Sequence, residues 1–241
     1  MTKKTALLVW GGWDGHEPEL VATRFARELE SHDYEVEISD TLDSFSELDD
    51  LLALDLIVPV WTMGEIPDAA CENVIEAVAD GVGLAGCHGG MCDAFRNSTG
   101  WQFMTGGNWV SHPGGDQVTY PVHMRQTGHP LVEDIPDFEV TSEQYYLHID
   151  PAATILATTP FPQVKWYHSS NGVVDMPIAW CKRWGAGRVY YNALGHHADV
   201  FDIPEAMDMM CRGLLWAGEG RQAARAAGIR REDFQSGAKM F

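Results

Sequence analysis

Two hydrophobic rhythms alternate along the first half of the chain. Short unbroken apolar runs, TALLVW (Thr5 to Trp10) and LDLIVPVW (Leu54 to Trp61), have the length and density of strands buried on both faces. Between them, EPELVATRFARELESH sets Val21, Phe25 and Leu29 at i, i+4 and i+8, one face of a helix, with Glu17 and Glu19 near the N-terminus where the dipole favours acids. YEVEIS then alternates as a strand. Pro67 opens a second helix that carries Val74, Ala77 and Val78 and stops at Gly81, and VGLAGC follows it as another strand. This β-α-β-β-α-β order predicts a parallel sheet flanked by helices, an architecture that holds ligands at the carboxyl ends of its strands.

The second half is less regular. QVTYPVHM, ATILATT, PIAWCKRW and GRVYYNAL read as strands between loops rich in Gly, Pro and His. A closing helix, PEAMDMMCRGLLWA, begins at Pro204 and sets Met207, Cys211 and Leu214 or Leu215 on one stripe, which is ordinary core packing. The expected fold is a three-layer α/β domain over residues 1–218, with a mostly parallel, flavodoxin-like sheet and helices on both faces. Residues 219–241 are polar, Ala-rich and more basic, as for a surface helix or an oligomer contact.

Composition narrows the function. A chain of 241 residues with 45% apolar content supports one large core. A net charge of -19 with only 16 Lys+Arg disfavours nucleic acid and anionic membranes, so the expected partner is a small molecule. The cysteines at 71, 87, 92, 181 and 211 form no CxxC pair, as expected for reduced thiols in the cytoplasm. The N-terminal apolar run is too short for a signal peptide, and nowhere do about 18 apolar residues run together.

Candidate chemistry gathers at the strand ends. GCHGG follows a strand and has the G-x-Nuc-x-G form of a strand-to-helix elbow, whose third residue is presented at the top of the sheet. That residue is His88; Cys87 turns back as a small buried hydrophobe. Neutral imidazole suits proton transfer or metal ligation, although a histidine bonded within the turn is the bland alternative. GGWDGHEPE offers Trp13, Asp14 and His16 after the first strand, Asp14 being either a ligand contact or a helix cap. MTGGNWVSHPGG places Asn108, Trp109 and His112 in a glycine-flanked loop, an aromatic platform with polar groups for a sugar ring. In SEQYYLHID, alternation puts Glu143, Tyr145 and Leu147 on one face and Tyr146 and His148 on the other. NALGHHADVF makes His196 or His197 available at another strand end.

GWDGHEP, GCHGG, GGNWVSHPG, SEQYYLHIDP, WCKRWGAGRVYYNALGHH and PEAMDMMCRGLLWAG, in this order, resemble the trehalose-utilisation ThuA-like family over roughly residues 5 to 217. The resemblance implies a fold like that of class I glutamine amidotransferases, a histidine where those enzymes carry their cysteine, and a link to catabolism of trehalose or related disaccharides through keto-sugars. It also implies that His88 sits at the elbow while His16, His112, Glu143 and His196 face the same cleft.

Three readings follow. The first is an enzyme of sugar or keto-sugar chemistry in which His88, Glu143 and His16 are catalytic and Trp13, Asp14, Asn108, Trp109, His112, Tyr145 and His196 bind substrate. A variant places a divalent ion such as Zn²⁺ on three of His16, His88, His112, Glu143 and His196, although no HExxH or CxxC motif supports it. The second is a non-catalytic carbohydrate sensor using Trp10, Trp13, Trp61, Trp101 and Trp109 for stacking. The third, glutamine amidotransfer, needs a cysteine thiolate and is not expected from the elbow register. The acidic surface and the tail are compatible with a homo-oligomer.

Overall fold

The computed structural model describes residues 3–125 and 128–235. Strands β1 (Lys4–Gly12), β2 (Tyr34–Ser39), β3 (Leu56–Thr62) and β4 (Gly83–Cys87) are mutually parallel neighbours in the order β2-β1-β3-β4. They are joined through helices α1 (Pro18–Ser31), α2 (Leu48–Ala53) and α3 (Asp68–Asp80). After β4 come the single turn α4 (Gly89–Cys92), helix α5 (Thr99–Thr105) and strands β5 (Gly107–Ser111), β6 (Val118–Met124), β7 (Phe138–Ser142), β8 (Tyr146–Ile149), β9 (Thr154–Phe161), β10 (Val174–Trp184) and β11 (Gly187–Asn192). The chain then enters α6 (Pro204–Gly218) and α7 (Gly220–Ala226).

The large sheet runs β2-β1-β3-β4-β11-β10-β9-β6-β7, and β5 pairs with β8 in a separate ribbon. β11 lies parallel to β4, but every pairing from β11 to β7 is antiparallel. The α/β class therefore holds, while the sheet is mixed rather than mostly parallel. A parallel neighbour needs a crossover of about a dozen residues or more, and only Gly185 and Ala186 separate β10 from β11. Parallel pairing is thus confined to strands linked through helices or longer excursions.

The core is built as the apolar runs require. Leu8, Val9, Ile57, Val58, Leu84 and Ala85 are buried in adjacent strands, and Val21, Phe25 and Leu29 turn inward from α1. α1 and α6 pack together, and α3 packs with α2 and α5. On α6 the inward stripe is Ala206, Met209, Met210, Gly213, Leu214 and Ala217; Met207, Cys211 and Leu215 are only half-buried beside it. The expected stripe was therefore displaced by about one position, because the wide apolar surface of this helix leaves its phase ambiguous. Trp101 is also no stacking surface: it is fully buried, with its Nε1 donating to the Met91 carbonyl at 2.9 Å. Trp10 and Trp61 are half-buried against the core.

The tail is partly docked. α7 packs on α6 and β11, Arg221 Nη1 donates to the Leu54 carbonyl at 2.7 Å, and Arg231 pairs with Glu76. The end of the tail, 236–241, lies outside the described residues.

α6 lies on β11 where Gly213 meets Tyr190: a Cβ at Gly213 would stand 2.1 Å from the tyrosine ring. That ring cannot retreat, since it is buried and its hydroxyl donates to the Met209 carbonyl at 2.8 Å. Alanine gains about 1 kcal/mol of helix propensity over glycine, but overpacking costs about 1–3 kcal/mol. Gly213→Ala should therefore lower the urea midpoint; a raised midpoint would show that α6 shifts freely.

Candidate functional site

Five segments converge at the carboxyl edge of the parallel strands. β1 ends in a 3-10 turn, Asp14–His16, that buries His16. β3 ends at Thr62, whose Oγ1 is hydrogen-bonded to His16 Nδ1 at 2.8 Å. β4 ends in the elbow. β11 runs on through Ala193 to His196, and the segment between β7 and β8 supplies Glu143.

The elbow is strained and clamped. His88 has φ 46° and ψ −135°, a region that residues with a Cβ rarely occupy and that costs on the order of 1–3 kcal/mol. The end of β11 holds it there. His88 N–H donates to the Asn192 carbonyl at 2.7 Å, the Tyr191 hydroxyl donates to the His88 carbonyl at 3.0 Å, and His88 Nδ1 is bonded to the Ala193 carbonyl at 2.8 Å. Tyr145 stacks on the imidazole with ring centres 4.0 Å apart. Gly89 is required directly behind, because a Cβ there would reach within 2.7 Å of the His16 ring and 2.8 Å of Thr62 Oγ1. Cys87 turns away into the core, and burial pushes its thiol up to about 12.

Glu143 is the centre of the group. Its Oε2 lies 3.1 Å from His88 Nε2, 3.3 Å from His196 Nδ1 and 3.7 Å from His16 Nε2, while Oε1 lies 3.3 Å from His112 Nδ1. The donor atoms of His16, His88, Glu143 and His196 all fall within 4.8 Å of one another, and all four residues are buried. Gln144 anchors the segment next to it, with Nε2 donating to Thr159 Oγ1 and to the Pro160 carbonyl. The Tyr120 hydroxyl donates to the Glu143 carbonyl at 2.9 Å.

The protonation pattern is decisive. A carbonyl only accepts, so the Ala193 contact fixes the proton of neutral His88 on Nδ1 and turns the Nε2 lone pair toward Glu143. Burial, reinforced by the neighbouring His16, lowers the His88 pKa to about 3, so the ring is neutral at ordinary pH. Burial likewise lowers His16, helped by His196. Burial alone would raise the Glu143 carboxyl, but its contacts with His16 and His196 hold it well below the usual range. An ionised carboxylate thus faces an imidazole lone pair at 3.1 Å, an arrangement that a bridging cation satisfies and a direct hydrogen bond does not. The buried Nδ1 atoms of His196 and His112 and Trp109 Nε1 also lack a hydrogen-bond partner among the described residues.

A family model described as ThuA, trehalose utilisation, matches residues 5–217. The chain belongs to the ThuA family. It is similar to two solved ThuA-like structures. One, a putative ThuA-like protein from Parabacteroides merdae, has a TM-score of 0.71 at 18% identity, over 92% of this chain and 91% of that one. The other, from Bacteroides uniformis, has a TM-score of 0.70 at 17% identity, over 89% and 91%. A β-galactosidase from Bacillus circulans sp. alkalophilus is similar in fold over 95% of this chain and 32% of its own, with a TM-score of 0.51 at 15% identity. No curated protein matches the chain.

Within this ThuA fold the sequence candidates separate. His16, His88, Glu143 and His196 meet, with His112 and Tyr145 against them; of the two adjacent histidines it is His196, not His197, that faces Glu143. Trp13 packs edge-on to His16 at 4.7 Å and is 46% exposed, so it borders the opening. Asp14 does not cap α1. Its side chain is exposed, without a hydrogen bond among the described residues, and α1 is capped by Glu17 in the left-handed region. Asn108 and Trp109 lie in strand β5, not a loop, because β5 pairs with β8; Asn108 Nδ2 donates to the Trp109 carbonyl at 3.0 Å. Trp109 is held between His112, at 5.5 Å, and the Arg96 guanidinium, 4.3 Å from its ring. Arg96 is in turn paired with buried Asp93. Thr62, Asp93 and Arg96 were not among the sequence candidates; only Thr62 had a readable signal, its place at a strand's carboxyl end.

His88 and His16 titrate lower in the folded chain than the usual value of about 6.5. Between that value and the folded one, the unfolded chain binds the extra protons, so stability falls as pH drops from about 6.5 toward about 3. His88→Gln should flatten this slope in urea titrations of metal-stripped protein. An unchanged slope would mean that His88 is not buried in its neutral form.

Proposed function

We propose that this ThuA-family protein is a divalent-metal-dependent enzyme acting on a small carbohydrate, a disaccharide of the trehalose class or its keto form. The observation that carries the reading is the His88 Nε2 lone pair aimed at the Glu143 carboxylate while Nδ1 is committed to a main-chain carbonyl. His16 Nε2, His88 Nε2, His196 Nδ1 and Glu143 Oε2 would hold the ion, Zn²⁺ being the natural fit for three imidazoles and a carboxylate. When bound, such an ion supplies Lewis acidity at a sugar carbonyl or hydroxyl oxygen.

The remaining roles belong to the chain. Glu143 uses its second oxygen toward His112, whose side chain is 37% exposed, and this dyad is placed to pass a proton between a bound sugar and solvent. Tyr145 keeps the His88 ring in plane. Trp13 and Trp109 border the opening with the apolar surface that a sugar ring stacks on. Cys87, buried and protonated, does not serve as a nucleophile, which argues against glutamine amidotransfer. In the same reading, residues 1–218 form one three-layer domain of flavodoxin-like, amidotransferase-like type, supported by the β2-β1-β3-β4-β11 order. The setting is the cytoplasm, with no nucleic-acid or membrane partner and with self-association open to the tail; among the described residues no helix is long and apolar enough to cross a membrane.

The test is metal content together with turnover of a 3-keto-disaccharide. Wild type should carry at least one equivalent of divalent metal, and Glu143→Gln should carry about one equivalent less. His112→Ala should keep the metal and lose turnover by roughly 10²–10⁴-fold. Full turnover by metal-stripped protein would remove the metal from the reaction. The exposed Trp13 favours one other reading, a carbohydrate sensor. Sugar binding that is lost in Trp109→Ala, with no turnover by wild type, would select it.

A further inference from the structure

A second convergence of ligating atoms lies far from the centre described above. Glu28 and His32 stand one turn apart at the C-terminal end of α1, and Cys211 faces them from α6. Glu28 Oε1 is 3.3 Å from Cys211 Sγ and 3.4 Å from His32 Nε2, and Cys211 Sγ is 3.6 Å from His32 Nε2. α1 spans about 20 Å at 1.5 Å per residue, and His16 precedes its start, so this cluster sits toward the opposite edge of the sheet.

We propose that Glu28, His32 and Cys211 form a second metal site, binding Zn²⁺ through one oxygen, one nitrogen and one sulfur and clamping α1 to α6. The geometry is specific. Tetrahedral Zn²⁺ with bonds of about 2.0 Å to oxygen, 2.05 Å to nitrogen and 2.3 Å to sulfur separates its ligands by about 3.5 Å for S···O, 3.5–3.6 Å for S···N and 3.3 Å for N···O. The three edges of the cluster lie within about 0.2 Å of those values. Packing does not require these residues here. Cys211 lies beside the inward stripe of α6 rather than on it, and His32 follows the last helical residue of α1 with its side chain 44% exposed. Binding replaces the thiol S–H bond with a Zn–S bond and releases the proton to water; the carboxylate and the neutral imidazole bind through existing lone pairs. The fourth position is left to a water molecule.

Co²⁺ is the probe, because a thiolate ligand gives a sulfur-to-cobalt charge-transfer band in the near ultraviolet that a site of imidazoles and a carboxylate cannot give. The full chain, stripped with chelator under reducing conditions, should develop this band as Co²⁺ is added, with saturation at one ion per band. Cys211→Ser should abolish it, and His32→Gln should weaken the competing Zn²⁺ affinity by at least about tenfold. Glu143→Gln should keep the band, so failure of the histidine-rich centre does not count against this site, nor does its success count in favour. No band in wild type, or a band that survives Cys211→Ser, would overturn the proposal.

Discussion

A carboxylate taken out of water demands partners, and here that demand organises the molecule. Glu143 is 5% exposed, and an ion buried to that degree without compensation costs several kcal/mol. Its partners come from separate parts of the chain: His16 beyond β1, His88 at the end of β4, His196 beyond β11 and His112 beyond β5. Two of these, His16 and His88, are themselves held from behind. Thr62 bonds His16, the Ala193 carbonyl bonds His88, and Tyr145 stacks on the His88 ring. These two imidazoles are thus oriented in advance by the fold.

The two halves of the sheet contribute different things. The parallel strands bring a strained elbow and the early histidines at their carboxyl edge. The antiparallel half brings the acid: Glu143 follows β7, the edge strand of the large sheet, and the β5–β8 ribbon carries Trp109 beside His112 and Tyr145. β11 belongs to both, parallel to β4 on one side and antiparallel to β10 on the other. Its end is where His88 is clamped, so the junction between the halves is also the point on which the site turns.

Much of this was legible in the chain. The G-x-H-x-G spacing named His88 and excused Cys87, because an elbow's geometry is set by a few adjacent residues. Alternation grouped Glu143 and Tyr145 on one face; both are buried, but they lie between β7 and β8 with Gln144 buried between them, so strand alternation does not place them. The mixed sheet was not legible, since β6, β9, β10 and β11 look alike as apolar runs and only connection length decides direction. The cap reading of Asp14 failed because the N-cap position of α1 falls at Glu17, three residues later. The Ala193 carbonyl had no signature at all, being main chain. Cys211 was assigned to the core because its two partners lie on a helix some 180 positions earlier, where only the Glu28–His32 spacing hinted at a pair.

The clamp on His88 has a consequence for how the molecule comes into being. The elbow is closed by Tyr191, Asn192 and Ala193, more than a hundred positions downstream, and its ring is useful only once Glu143 has been positioned between. The cluster opens at His16 and closes at His196, so a growing chain cannot assemble it until His196 has been made. Early segments can build their share of the sheet, but they cannot hold the strained backbone at His88. The cluster therefore forms last and all at once, and its assembly reports completion of both halves of the sheet rather than of either one.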